Sequence, residues 1–381
     1  MDREVSIARC ESYEPAQVKG ALTAALAPLG GLDWVKPGMK IAIKANLMTR
    51  VRPERAATVH PAVAVALCEL LAERQAQVVL GDSPGGPFNA AYVGAIYAAT
   101  GMNEVRKTGA SLNDDFTYLD IENADAVAAK SFQVTRYLAE ADAIIDLCKL
   151  KTHGLMAFTG ACKNFFGAVP GMRKSEYHYQ YQTKEAFADM LVDICEWCKP
   201  RLCIADGVVA MEGNGPSGGA PRRMDALLAA RNPHALDLAA AHLMGLGAQD
   251  VPTLAAAHTR GLIPGEASEL HVFGELADFA IADFQHAAQH DIRLWGSTNK
   301  TAAKLLTRLF ANRPVIESAA CVGCGECKSV CPAQAIQIIN KRAHIRRDEC
   351  VRCFCCQEFC PKGVIRVSRP LMARLLGGRR A

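Results

Sequence analysis

Apolar and polar positions along most of the chain alternate between a two-residue and a 3.6-residue period. Val5–Ala8 predicts a strand, and residues 15–28 an amphipathic helix. Lys40–Lys44 (KIAIK) predicts a second strand, after the turn Lys36-Pro37-Gly38. His60-Pro61 opens a helix running to about Arg74, with proline at a first-turn position. Gln77–Leu80 predicts a strand and residues 89–100 a helix. Ala143–Cys148 (AIIDLC) has the continuous apolar character of a buried strand. Lys184–Trp197 places its apolar residues on one helical face. Leu202–Ala205 and Met224–Ala230 follow as strands, then a helix over 234–244 and a strand Leu270–Phe273. Strands alternating with helices in this way predict an α/β fold, with a mostly parallel sheet covered by helices on both faces. The α/β unit is expected over 1–274. Residues 275–315 lack a clear period and predict a connector with one basic helix near Lys300–Phe310.

In such sheets ligands bind beyond the carboxyl ends of the strands, so the strand exits carry the functional information. One runs into Lys44-Ala45-Asn46 and another into Gly81-Asp82-Ser83-Pro84-Gly85-Gly86. The strand after 143 exits as Lys149-Leu150-Lys151-Thr152-His153-Gly154. The next runs into Asp206-Gly207 and on to Asn214-Gly215-Pro216. Lys149, Lys151 and His153, spaced by two, share one face if the segment stays extended. Together with Lys163 and Asn164 in Thr159–Gly167, and with Arg173, Lys174 and His178 beyond, they suit an anionic ligand such as a carboxylate or phosphate. A solvated sheet edge is the plain alternative. His153 and Lys151 are the candidate proton donors. Lys149, Lys163, Asn164, Asp82, Ser83, Asp206 and Asn214 are the candidate ligand-binding residues. Asp82 and Asp206 are equally open to a turn-forming role. GDSPGG matches neither a Walker loop nor a G-x-G-x-x-G fingerprint.

Cysteine usage changes the picture at the other end. Of 16 cysteines, seven are spread over the first 203 residues, none falls between 204 and 320, and nine crowd into 321–360. At an offset of 29, CVGCGECKSVCPAQAIQI (321–338) aligns with CVRCFCCQEFCPKGVIRV (350–367), with seven of eighteen positions identical. Each copy carries C-x2-C-x2-C-x3-C-P, the bacterial 4Fe-4S spacing, in which the fourth cysteine ligates the other cluster. This assigns Cys321, Cys324, Cys327 and Cys360 to one cluster and Cys350, Cys353, Cys356 and Cys331 to a second. Eight cysteines with two Cys-Pro endings fit zinc poorly. Arg352 and Phe354 stand where the first copy has Gly323 and Gly325, and Cys355 is surplus: a spare thiol, or an alternative ligand. Cys195, Cys198 and Cys203, divided between a helix and a strand, are expected to be core thiols rather than a third metal site.

Charge and composition exclude several classes. Half the residues are hydrophobic and 22% charged, which is globular composition. Residues 369–381 carry four arginines and no acid, accounting for the whole net charge of +4. The balanced body argues against nucleic-acid binding, and the tail is either a docking element or a frayed terminus. No apolar run approaches the ~18 residues of a transmembrane segment. MDREVSIARC lacks an export pattern, so a cytoplasmic protein is expected.

The C-terminal repeat resembles two-cluster bacterial ferredoxins over residues 316–368. The segments GDSPGG (81–86), KLKTHG (149–154), TGACKNFFG (159–167) and DGVVAMEGNGPSGG (206–219) resemble the prokaryotic family of domain of unknown function 362, over roughly residues 5–274. Ala45 departs from the proline usual in that family. The resemblance implies an architecture, including fusion to a ferredoxin-like module, and no reaction. Three functions follow as expectations. The first is a redox enzyme whose two 4Fe-4S clusters exchange electrons with an anionic small molecule or cofactor in the α/β unit. The second is an electron carrier or accessory protein serving a partner enzyme. The third is a non-redox enzyme with structural or oxygen-sensing clusters. An electron donor or acceptor protein is the expected partner.

Overall fold

The computed structural model describes residues 2–288 and 312–368. Eleven strands, in chain order, belong to the N-terminal unit: β1 (Glu4–Arg9), β2 (Lys40–Ala45), β3 (Gln77–Gly81), β4 (Ser111–Leu112), β5 (Tyr118–Glu122), β6 (Ser131–Thr135), β7 (Ala143–His153), β8 (Ala157–Thr159), β9 (Leu202–Glu212), β10 (Ala220–Ala230) and β11 (His271–Phe273). The main sheet has the order β11-β1-β10-β9-β7-β2-β3-β4, with β8 paired to β7. The run β9-β7-β2-β3-β4 is parallel throughout, as is β1 with β11. β10 is antiparallel to both neighbours, and β5 and β6 form a separate antiparallel pair. The fold is therefore α/β around a mostly parallel sheet.

Alternation along β2 shows how the two faces fill. Ile41 and Ile43 point into a core built with the helices Pro15–Leu26, Pro61–Glu73 and Ala90–Ala99. Ala42 points to the opposite face, which is covered by the helix Lys184–Cys198. Caps fix several helix starts. Asn89, Thr183 and Asn232 accept hydrogen bonds from N–H groups in the first turns that follow them, and proline opens the helices at 15, 61 and 233. A third apolar cluster packs Cys148, Leu150 and Cys203 under the helix Pro233–Leu243. Cys195 and Cys198 are buried in the second, so the thiols at 195, 198 and 203 are core residues.

The observed boundaries differ from the expected ones in two places. β7 does not end at Cys148 but runs on through His153, and β9 on through Glu212, so the presumed exits are the outer ends of long strands. The α/β unit's packing also continues past 274, since Phe279 and Phe284 are buried in its core. The basic helix expected near 300–310 and the tail 369–381 lie outside the described residues. Among the described residues no helix is long and apolar enough to cross a membrane.

The C-terminal unit is small. β12 (Arg313–Ile316) pairs antiparallel with β15 (Ile365–Ser368), and β13 (Ile336–Ile339) with β14 (Arg342–Ile345). Two four-residue helices, Glu326–Ser329 and Cys355–Glu358, complete it. Gly323 and Gly325 adopt positive φ, and so do Arg352 and Phe354 in the second copy. The repeat thus keeps its backbone where the glycines are lost.

Candidate functional site: two cysteine cages and a lysine-lined cavity

The eight repeat cysteines line two separate hollows. Cys321, Cys324, Cys327 and Cys360 surround the first, with Ile316, Val364 and Ile365 beside them. Cys331, Cys350, Cys353 and Cys356 surround the second, among Ile336, Ile345, Val351 and Phe354. The Ala343 N–H donates to Cys321 Sγ (3.4 Å) and the Ala335 N–H to Cys331 Sγ (3.2 Å), the kind of contact that stabilises thiolate ligands. Soft sulfur donors in two sets of four, within apolar walls, fit 4Fe-4S clusters. Cys355 lines neither hollow and packs with Val330, Cys353 and Phe359.

The ferredoxin-like unit docks on the carboxyl edge of the main sheet. Gln357 Nε2 donates to Asn214 Oδ1 (2.7 Å), Asn214 Nδ2 to the Ile365 carbonyl (3.3 Å), and Ser217 Oγ to the Gln357 carbonyl (3.0 Å). Ser175 Oγ donates to the Val330 carbonyl (3.0 Å). Glu326 pairs with Arg50 and accepts from Tyr92 Oη (3.2 Å). The Phe359 ring lies directly on Gly85, where any Cβ would come within 1.8 Å of it.

Between the two units lies a cavity of about 70 Å³, lined by Asn46, Asp82, Ser83, Lys151, His153, Lys163, Asn164 and Lys174, and by Glu358 and Phe359 of the ferredoxin-like unit. β2, β3 and β7 deliver Asn46, Asp82 and Lys151. Lys44, fully buried, pairs with Asp82 Oδ1 (2.8 Å) and donates to the Ala45 carbonyl (2.8 Å) and to Asn164 Oδ1 (3.1 Å). Asp82 Oδ2 accepts from Leu47 N (2.8 Å), so this carboxylate fixes the turn after β2. A Cβ on Gly167 would meet Asp82 Oδ1 at 2.1 Å and Lys44 Nζ at 2.5 Å, which explains the glycine closing TGACKNFFG. Asn164 Nδ2 donates to Asp146 Oδ1 (2.7 Å) and to the Lys44 carbonyl (3.0 Å). Burial pushes the Asp146 carboxyl well above the usual range.

The lysines differ in their partners. Lys151 Nζ donates to Asn46 Oδ1 (2.8 Å) and the Ala57 carbonyl (2.7 Å), both neutral. Desolvation, reinforced by Lys163, pulls its pKa down to about 7. Lys174 donates to Ser83 Oγ (3.3 Å) and to the Val169 carbonyl, and desolvation lowers it to about 7 as well. Lys163 makes no hydrogen bond among the described residues. Its ammonium rests 4.6 Å from the Phe166 ring centroid, and burial lowers its pKa too.

His153 Nδ1 accepts from the N–H groups of Leu155 (3.0 Å) and Met156 (3.2 Å), which places the ring proton on Nε2. Nε2 faces Glu358 Oε1 at 3.1 Å, and His178 Nε2 lies 3.8 Å from Glu358 Oε2. Desolvation keeps both imidazoles neutral, with His178 down to about 4. Burial alone would raise Glu358, but the His153 Nε2–H and the Lys163 ammonium counter it, and the carboxyl lies below its usual range.

Three expected ligand-binding residues lie elsewhere. Lys149 is captured by Asp206 (2.8 Å) and Tyr13 Oη (3.0 Å), and Asp206 also accepts from His60 N (2.9 Å). The register of β7 against β9 shifts between Lys149 and Lys151. Asn214 binds the ferredoxin-like unit instead. Conversely, Thr159, Glu358 and Phe359 are not among the sequence candidates, whereas Lys44, Lys174 and His178 stand there as charge near the strand exits. The available signal was the difference between repeat copies: Glu358 and Phe359 stand where the first copy has Ser329 and Val330.

Fold and site together define an α/β protein carrying an iron–sulfur, ferredoxin-type unit with an electron-transfer role. The chain belongs to the family described as domain of unknown function (DUF362), whose model matches residues 41–242, and a 4Fe-4S dicluster domain matches residues 313–361. A thylakoid-associated protein from Synechocystis sp. is 34% identical over 275 residues, covering 69% of this chain and 81% of that relative. Among solved structures, the lactate racemase apoprotein from Thermoanaerobacterium thermosaccharolyticum is similar at a TM-score of 0.42 and 11% identity, over 63% of this chain and 56% of that one. A protein from Thermotoga maritima gives a TM-score of 0.32 at 13% identity, over 52% of this chain and 51% of its own. The chain thus spans about half the length of both solved structures.

Proposed function

We propose that the protein is a redox enzyme in which two 4Fe-4S clusters exchange electrons with an anionic small molecule held in the lysine-lined cavity. When bound, the clusters would supply single-electron transfer. Cys321, Cys324, Cys327 and Cys360 would hold one, and Cys331, Cys350, Cys353 and Cys356 the other. One observation carries the proposal: the helix Cys355–Glu358 contributes Cys356 to a cysteine cage and Glu358 to the cavity wall. Lys151, Lys163 and Lys174 bind the anion. Lys151, with a pKa near neutrality, exchanges a proton with it. His153, held by two backbone N–H groups and Glu358, orients that wall.

The partner protein reaches the first cage from outside, where Cys324 and Val322 are exposed. The thylakoid association of the Synechocystis relative favours a second reading, an electron-transfer protein that serves a membrane-bound partner from the cytoplasm.

Anaerobic purification followed by mass spectrometry of released small molecules tests the enzyme reading. The expected result is a bound anion whose addition changes the visible absorbance of photoreduced protein as the clusters reoxidise. Turnover of that anion surviving iron removal would overturn it. Cluster reduction with no response to the anion leaves the electron-transfer reading.

A further inference from the structure

The cavity's polar groups are unevenly satisfied. Lys151 donates to two neutral oxygens and to Met48 Sδ (3.6 Å), Lys174 to two neutral oxygens, and Lys163 to none among the described residues. The carboxylate of Asp82 is already engaged by Lys44, which leaves Glu358 as the one further carboxylate in the lining. Three ammonium groups therefore face one carboxylate, a surplus that a doubly charged anion would balance and a singly charged one would not.

Two hydroxyls add direction. Ser83 Oγ accepts from Gly171 N (2.7 Å) and from Lys174 (3.3 Å), so its own proton has no acceptor among the described residues. Thr159 Oγ1 is buried with no hydrogen-bond partner among the described residues. Leaving buried polar groups unpaired is costly, and both residues line the cavity. The amides of Asn46 and Asn164 are spent on one another, on lysines and on the backbone. The free donors are thus ammonium and hydroxyl groups, a set that suits oxygens of an anion.

Size is set by the roof. At roughly 12 Å³ for each water-sized group, a cavity of about 70 Å³ has room for few atoms. The Phe359 ring, pressed onto Gly85, walls it on the ferredoxin side.

We propose that the cavity takes a dianion of about five or six non-hydrogen atoms, an inorganic oxyanion or a two-carbon dicarboxylate, and that Phe359 sets the size limit. The proposal rests on the anion site put forward under Proposed function. The lowered pKa values of Lys151, Lys163 and Lys174 are consistent with a site lacking its counter-charge.

Calorimetric titration of the full chain, with its clusters reconstituted anaerobically in oxyanion-free buffer, tests it. Sulfate and perchlorate share a tetrahedral shape and differ by one charge. Sulfate is expected to bind at least roughly tenfold more tightly, although perchlorate is the easier to desolvate. Oxalate competing more strongly than sulfate would identify the dicarboxylate, and the reverse the oxyanion. Succinate should fail to bind the natural chain and should bind Phe359→Ala, with Phe359→Leu as the milder variant if the first loses iron. Lys163→Ala and Lys174→Ala should each weaken sulfate binding roughly tenfold or more at unchanged iron content. Perchlorate binding as tightly as sulfate would overturn the dianion. Succinate binding the natural chain as tightly as sulfate would overturn the size limit and leave the anion site intact. Failure of all four anions to bind would remove the anion site itself.

Discussion

Lys151 shows how neutral partners can make a lysine titrate near pH 7. Its hydrogen bonds go to Asn46, Ala57 and Met48 Sδ, all neutral, and the charges felt from its surroundings are Lys163, Lys149 and Lys44 against Asp82. Desolvation therefore lowers its pKa to about 7. An anion in the cavity raises that pKa again, so between the two values binding must take up a proton. The sign follows: affinity falls as pH rises above about 7, by up to a factor of ten per pH unit for each lysine involved. Calorimetry of sulfate binding at pH 8, in buffers of different ionisation enthalpy, should register proton uptake on binding. Lys151→Ala should lower sulfate affinity by roughly tenfold to a hundredfold, the cost of one charge-assisted hydrogen bond of ~1.5–3 kcal/mol. This lysine was legible from its two-residue spacing with His153. Lys149 was equally legible and misleading, because its captors Asp206 and Tyr13 come from segments that only the fold brings together. The pairing of Lys44 was hidden for the same reason, since its partners stand at 82 and 164.

The element that joins the two halves of the site is one turn of helix, Cys355–Glu358. Its position was readable from the repeat, because spacing alone distinguishes Cys353 and Cys356 from the surplus Cys355. The structure places Cys355 outside both cages. Cys355→Ser should accordingly leave iron at about eight atoms per chain after anaerobic reconstitution, whereas Cys353→Ser should lower it towards about four. Loss of iron in both variants, or in neither, would contradict that division. What the repeat did not reveal was the outward face of the same turn, where Glu358 meets His153. Ligand spacing constrains the side of a helix that holds sulfur and leaves the opposite side free to vary. β7 and β9 were recognisable for a related reason: their inner halves are continuously apolar, while their outer halves carry lysine, histidine and aspartate and read as loops.

At the scale of the whole molecule, the cavity exists only because the ferredoxin-like unit is seated on the sheet edge. Asn214, Ser217 and Gln357 make three hydrogen bonds across that seam, and Ser217 and Gln357 are buried. Each such bond contributes about 1 kcal/mol, with a further penalty where a buried partner is left unpaired. The Arg50–Glu326 pair lies at a more open edge, where Arg50 is 45% exposed, and contributes less. Asn214→Ala combined with Ser217→Ala should therefore loosen the seam by roughly 2–3 kcal/mol without touching a cysteine or a cavity lysine. Iron content should stay unchanged. Amide hydrogen exchange should quicken roughly thirtyfold to a hundredfold at residues 355–360 and at the outer end of β7, the segments that face each other across the cavity. Because Phe359 is held in place only while the unit is seated, the same double variant should admit succinate where the natural chain excludes it. Faster exchange with succinate still excluded would show that the α/β unit alone sets the cavity's size, and unchanged exchange would show that the seam is held elsewhere.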